Sequence, residues 1–250
     1  VTAPLVLLHG VGLDRTMWEP FVEQIGTSCI ALDLPGHGSR PPLRRPQTLR
    51  TLAEDVLARL PEGRVRLVGF SLGALIGQHL ARFAPERIAS LVCVSSVCRR
   101  TPEEAARVEE RLRLAEADFP GSAEASIERW YPAGTSVPRD VVDATRATLL
   151  SCDVESYLHA YTVFARGDRE IGPELEGIRI PVLAITGERD PGSTPEMSRR
   201  LGAAIPDCEV RIVPGARHML PVEDTAALVA AIDEFTTRTA QKGNAHDRTS

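Results

Sequence analysis

Lysine is almost missing from this chain. Among 29 basic residues only Lys242 is a lysine, a skew that fits the coding bias of a GC-rich bacterial genome better than any chemistry. A basic stripe is missing as well, since no run exceeds pairs such as Arg44-Arg45 and Arg99-Arg100. With a formal net charge of −5, a nucleic-acid partner is not expected. No apolar run approaches the roughly eighteen residues that a membrane-spanning helix needs, so no membrane partner is expected either. The five cysteines, Cys29, Cys93, Cys98, Cys152 and Cys208, form no CxxC pair, which argues against zinc or another metal. Scattered cysteines suit a reducing compartment. No basic-then-apolar leader precedes the first apolar run. A cytoplasmic protein is the expectation, and a homo-oligomer is left open.

What is present points to an α/β fold. The 250 residues suffice for one large domain, or one domain with an insertion. Short Val/Ile/Leu runs end in Gly or Pro at 4–10, 28–38, 64–70, 89–96, 180–190 and 208–218. Such runs predict strands buried on both faces, as in a parallel sheet. Helical patterns alternate with them, over Thr48–Leu60, Ser71–Ala84, Pro195–Ala204 and Val222–Thr237. Strand and helix in alternation predict a mostly parallel sheet flanked by helices.

The alternation stops between about Cys98 and Gly172, where only helical patterns occur. The first opens with a capping-box signature: Thr101 at N-cap, Pro102 at N1 and Glu104 at N3. A strandless stretch of this length between two sheet strands predicts a lid. The expected organisation is a core from residues 1–97 and 173–237, a helical cap at 98–172, and a disordered polar tail at 238–250.

The segment Gly69-Phe70-Ser71-Leu72-Gly73 fits G-x-S-x-G, a strand-to-helix elbow that thrusts one hydroxyl out at the carboxyl end of a sheet. The flanking glycines remove Cβ atoms from a crowded turn. A serine hydroxyl needs a base, and His218, beyond the last strand run, is the candidate. Asp190, ending the preceding strand run, can orient the imidazole. The order Ser71, Asp190, His218 matches that of this fold. The oxyanion formed on attack needs backbone donors. Leu72 follows the nucleophile, and Val11 lies in the "HGVG" loop after the first strand. His9, Asp33 and His37 read as loop-shaping groups. Trp18 either walls a pocket or packs a helix. Glu223 follows the histidine loop as a candidate anchor.

Taken together, "HGVGLDRTMWEP", "DLPGHGSR", the elbow, "APERIASLV", "ITGERD" and "VPGARHMLPVED" resemble the α/β-hydrolase superfamily in its capped branch. The resemblance spans nearly the whole chain and is nearest to 3-oxoadipate enol-lactonases and carboxylesterases. It implies a hydrolase of a small ester or lactone, without cofactor or metal, working through Ser71, Asp190 and His218. It also makes Trp130 and Arg129 candidates for an aromatic wall and a cation facing an acidic substrate; the alternative is a packed Trp beside a surface Arg.

Two positions depart from the enol-lactonase pattern: His9-Gly10 in the first loop and Ala74 after the elbow. Ser71 excludes the dehalogenases and epoxide hydrolases of this fold, which carry Asp there. Met219 argues against its carbon–carbon hydrolases and hydroxynitrile lyases. The alternatives to ester hydrolysis are a lyase or acyltransferase using the same triad, and a receptor that keeps the triad with little turnover.

Overall fold

The structure is a computed structural model that describes residues 3–247. Six strands form one sheet: β1 Leu5–Leu8, β2 Cys29–Leu32, β3 Val65–Phe70, β4 Ile88–Val94, β5 Val182–Gly187 and β6 Cys208–Val213. Every pairing is parallel, in the order β2-β1-β3-β4-β5-β6. Five fall within the runs read from the sequence, and β4 begins one residue before its run, at Ile88. Burial on both faces holds for β1 and β5, and nearly so for β3 and β4. It does not hold for β2 and β6, which are only partly buried. These two are the edges, where one neighbour is missing and one flank meets solvent.

Ten α-helices accompany the sheet among the described residues, with two short 3-10 turns at Arg15–Trp18 and Gly172–Gly177: α1 Glu19–Ile25, α2 Leu49–Arg59, α3 Leu72–Phe83, α4 Pro102–Ala117, α5 Phe119–Trp130, α6 Arg139–Leu150, α7 Val154–Ile171, α8 Pro195–Ala204, α9 Leu220–Glu223 and α10 Thr225–Asp247. Thr48 and Thr101 both close capping boxes, the second with Glu104 as its spacing predicts. The nearly all-round apolar α3 is buried along almost its whole length, under the sheet centre. The short α1 has no strong periodic signal in the sequence.

The tail expectation needs correction. Helix α10 continues to Asp247, through most of the segment expected to be disordered, while 248–250 lie outside the described residues. An anchored helix extends by one hydrogen bond per residue without a new nucleation cost. Residues Leu228, Ala231, Ile232 and Phe235 provide the buried anchor. Among the described residues no helix is long and apolar enough to cross a membrane.

Helices α4 to α7 lie between β4 and β5, with no strand among them. Their start is tied to their end. The Arg100 guanidinium meets Asp168 at 2.6 Å, and the Arg100 amide donates to the same carboxylate at 2.7 Å. Both side chains are at most 3% exposed. Removing one member of a buried pair leaves the other charged without compensation. Asp168→Ala is expected to lower stability by about 3–5 kcal/mol in urea unfolding. Replacing both residues with apolar side chains should recover much of that loss; equal losses would refute the stranded-charge account.

Candidate active site

The sheet order reverses between β1 and β3, because β2 lies on one side and β4 to β6 on the other. Crevices at such a switch point, beyond the carboxyl ends of the strands, hold ligands in open α/β sheets. The loop Gly10–Leu13 follows β1 there, and Ser71 follows β3.

Ser71 has φ 53° and ψ −110°, a left-handed backbone that side chains rarely adopt. The turn leaves no room beside it. A Cβ on Gly73 would sit 2.5 Å from the Leu8 carbonyl oxygen, and one on Gly69 would run into the Gly73 backbone. The Gly73 amide donates to the His9 carbonyl at 3.1 Å, which locks the elbow to the β1 loop. The glycine reading of G-x-S-x-G is thus a packing requirement of the turn.

His218 is delivered by the loop after β6. Gly187 at the end of β5 lets the Ala216 and Arg217 backbone approach to a distance that a Cβ would block. The Arg189 amide donates to the Ala216 carbonyl at 2.8 Å. The His218 carbonyl accepts from the Ser95 hydroxyl at 2.9 Å, and the Arg217 amide donates to Glu223 at 2.7 Å. Glu223 therefore anchors the histidine loop, as its position suggested. Nδ1 of His218 lies 2.7 Å from Oδ2 of Asp190. The other Asp190 oxygen accepts from the Gly192 and Ser193 amides at 2.8 and 2.9 Å. A carboxylate held by two amides cannot swing, so it fixes the ring orientation. Nε2 is left facing the cavity that Ser71 also lines. Ser71 and His218 share that cavity without a direct hydrogen bond between their side chains in the described structure; such contacts often tighten only with substrate bound.

Two imidazoles brace the β1 loop. Nε2 of His9 accepts from the Leu34 amide at 2.8 Å, and its Nδ1 faces the Gly10 carbonyl at 2.7 Å. Nε2 of His37 accepts from the Gly12 amide at 3.0 Å, with its Nδ1 facing the Pro35 carbonyl at 2.9 Å. Both rings are therefore neutral and protonated at Nδ1. Burial pushes the His9 pKa down to about 3, and burial also lowers that of His37. Asp33 accepts from the Arg15 and Ser39 amides at 2.9 and 3.0 Å. With Gly12 bound by His37, the neighbouring Val11 amide has no acceptor among the described residues, and neither does the Leu72 amide. These are the two donors the sequence marked for an oxyanion.

The cavity is small, about 40 Å³, and opens to solvent at its mouth. A chain with only 4% aromatics gathers Phe70, Trp130, Tyr157, Tyr161 and Phe164 around it. Trp130 stacks on the His218 ring at 6.0 Å and 22°. Arg129 also lines the cavity, its guanidinium donating to Ser126 Oγ at 2.9 Å. Trp18 does not reach it. That residue is fully buried, packed edge-on against Phe21 at 5.6 Å, because the turn Arg15–Trp18 feeds α1 and aims the indole into the core. Of the two readings of Trp18, packing holds. Sequence reasoning missed Arg111, Tyr157, Tyr161 and Phe164. The last three recur at helical spacing on α7, a stripe that reads as core until the neighbouring helices are placed.

A parallel sheet that presents a hydroxyl on a strained elbow, beside a carboxylate-held imidazole, defines a hydrolase of the α/β type. The chain belongs to the alpha/beta hydrolase family, whose pattern it matches over residues 5–232. It is 30% identical over 224 residues to (E)-2-((N-methylformamido)methylene)succinate hydrolase of Acinetobacter baylyi, covering 87% of this chain and 84% of that one. It is 25% identical to 3-oxoadipate enol-lactonase 2 of the same organism, over 92% of this chain and 86% of that one. The crystal structure of the enol-lactonase from Burkholderia xenovorans superposes with a TM-score of 0.85 at 28% identity, covering 95% of this chain and 92% of that one.

The neutral histidines carry a pH signature. Unfolded His9 takes up a proton near 6.5, whereas folded His9 resists until about pH 3. Between those values the unfolded chain holds the extra proton, so acidification favours unfolding and this stability is lost as pH falls below about 6.5. Going from pH 7 to pH 5 should cost about 2 kcal/mol through His9 alone. Urea unfolding at both pH values checks this. His9→Asn should flatten the dependence, and an unchanged slope in that variant would refute the assignment.

Proposed function

We propose that the protein is a serine hydrolase that cleaves a small carboxylic ester or lactone through an acyl-enzyme. The observation that carries this reading is the 2.7 Å contact of His218 with Asp190 beside a cavity shared with Ser71. Ser71 Oγ attacks the carbonyl carbon, and His218 Nε2 takes the hydroxyl proton. Asp190 holds the Nδ1 proton and stabilises the imidazolium. The oxyanion takes hydrogen bonds from the Val11 and Leu72 amides, two donors with no competing acceptor. The α3 dipole begins at the same point and favours negative charge there. His218 then protonates the leaving oxygen. A water, deprotonated by His218, attacks the acyl carbon and releases Ser71. With a lactone the leaving hydroxyl stays tethered, and the product is a ring-opened acid.

Residues 98–172 form the cap in this scheme. Trp130 from α5, with Tyr157 and Tyr161 from α7, closes the apolar side of the cavity and keeps bulk water from the acyl-enzyme. The family relationship supports hydrolysis; the names of the relatives, a succinate-derivative hydrolase and enol-lactonases, support a small ester or lactone.

Hydrolysis of p-nitrophenyl acetate by wild type and Ser71→Ala tests the scheme. The variant should lose on the order of 10⁴–10⁶ in kcat, and adding His218→Ala should cost little more, because the two act as a unit. Equal rates for wild type and Ser71→Ala would defeat it. Turnover in ¹⁸O-labelled water should place label in the carboxylate product; its absence would favour a lyase or acyltransferase.

A further inference from the structure

We propose that the space beneath α6 is a second binding site, for an uncharged alkyl group of the substrate, and that Leu13 is the side chain dividing it from the catalytic cavity. The proposal rests on the serine-hydrolase reading for the bond broken; the chamber itself is a separate observation.

The catalytic cavity, at about 40 Å³, has room for about three water molecules. That suits a reacting carbonyl and little more. A chamber of about 190 Å³ adjoins it. Leu13 and Met17 reach the chamber from the chain after β1, Val222 from α9, and Val141 and Ala144 from α6. Leu13 is the one described residue that lines both spaces. It is 3% exposed, and it lies two residues beyond Val11, the oxyanion donor in the scheme above. One leucine side chain thus stands between the reacting carbonyl and a larger space.

The chamber follows from how α6 is seated. Leu149, near the C-terminal end of α6, is its one buried residue. A Cβ on Gly12 would sit 2.4 Å from the Leu149 side chain and 2.9 Å from that of Tyr157, so the loop after β1 runs hard against both. With the helix propped at that end, its earlier turns leave the chamber between Val141 and Ala144 on one side and Met17 and Val222 on the other.

The lining sets what the chamber takes. Met17, Val141 and Val222 pack against the core and are only partly buried, so apolar surface is left over. The Thr145 hydroxyl donates to the Val141 carbonyl at 2.9 Å, and the Thr16 hydroxyl donates to Asp14. Hydroxyls already bonded have little to offer a polar ligand. The charged groups of the lining are both acids, Asp14 and Glu19, with no arginine, lysine or histidine among the described lining residues. An anion is repelled there. An alkyl group is favoured by the area it removes from water.

Two ester series test the proposal. The p-nitrophenyl acetate, butyrate and hexanoate series lengthens the acyl side; ethyl, butyl and hexyl acetate lengthen the alcohol side. In one series kcat/KM should rise by up to about fourfold per methylene, the scale of burying one such group. The series that rises identifies the side of the ester that enters the chamber. Ala144→Phe, which fills the chamber, should lower the longest-to-shortest ratio of that series about tenfold or more. Leu13→Ala, which removes the partition, should raise it at least about threefold. Ratios cancel any general loss of activity or of folded protein. Binding of 1-hexanol to Ser71→Ala, followed by calorimetry, needs no turnover and should weaken about tenfold when Ala144→Phe is added. Series that stay flat or fall on both sides overturn the proposal while the hydrolase reading stands. So does a ratio, or hexanol binding, that is indifferent to Ala144→Phe. Hexanol binding that depends on Ala144, with no ester hydrolysed by wild type, would instead refute the hydrolase reading and uphold the chamber.

Discussion

The backbone of Ser71 is held in a left-handed conformation that costs about 1–3 kcal/mol for a residue with a side chain. Three neighbours hold it there. The β3 strand enters buried at the centre of the sheet, α3 leaves buried beneath it, and the Gly73 amide is bonded to the β1 loop. Because the turn is this tight, the hydroxyl cannot fold back onto the helix it starts. Because it crosses the β1 loop, the position of Ser71 also sets that of the Val11 amide. The elbow fixes the coordinate frame in which the other parts of the site are placed.

Those parts are preorganised by neutral or fully bonded groups. His9 and His37 hold the β1 loop without adding charge beneath the site, since burial keeps both rings neutral. Each spends its one N–H on a carbonyl and its one lone pair on an amide. The Val11 amide between them has no acceptor among the described residues, and a free donor is what an electrostatic site for a transient oxyanion requires. Asp190 is treated similarly on the opposite side: its lone pairs are consumed by two amides and one imidazole, so it is rigid before any ligand arrives.

The inserted helices follow a different logic. They are fastened at their base by Arg100 and Asp168, and Arg100 also lies over the Phe164 ring at 4.8 Å. Phe164 in turn walls the cavity. A buried ion pair is weak evidence for stability, but it defines a register. Here it sets how α4 and α7 lie against each other and so which of their side chains face Ser71. The places of Arg111 on α4 and of Tyr157, Tyr161 and Phe164 on α7 follow from that register.

The sequence alone determined the six strands, the elbow, the loops carrying His218 and Asp190, and the two amides beside the candidate nucleophile. These were legible because each depends on local chemistry: Val/Ile/Leu runs cut by glycine, a motif whose glycines have one steric reason, and a fixed chain order. What only the tertiary structure decided depends on neighbours distant in sequence. Trp18 has the same local context whether it walls a pocket or fills a core, and Phe21 settled it. The edge position of β2 and β6 overrode an apolar run that otherwise reads as fully buried. Arg111 looks like any solvated arginine of an amphipathic helix. It becomes distinctive only when α5 and α7 close over it, because a guanidinium without an acceptor is an ordinary feature in water and a costly one inside a cavity.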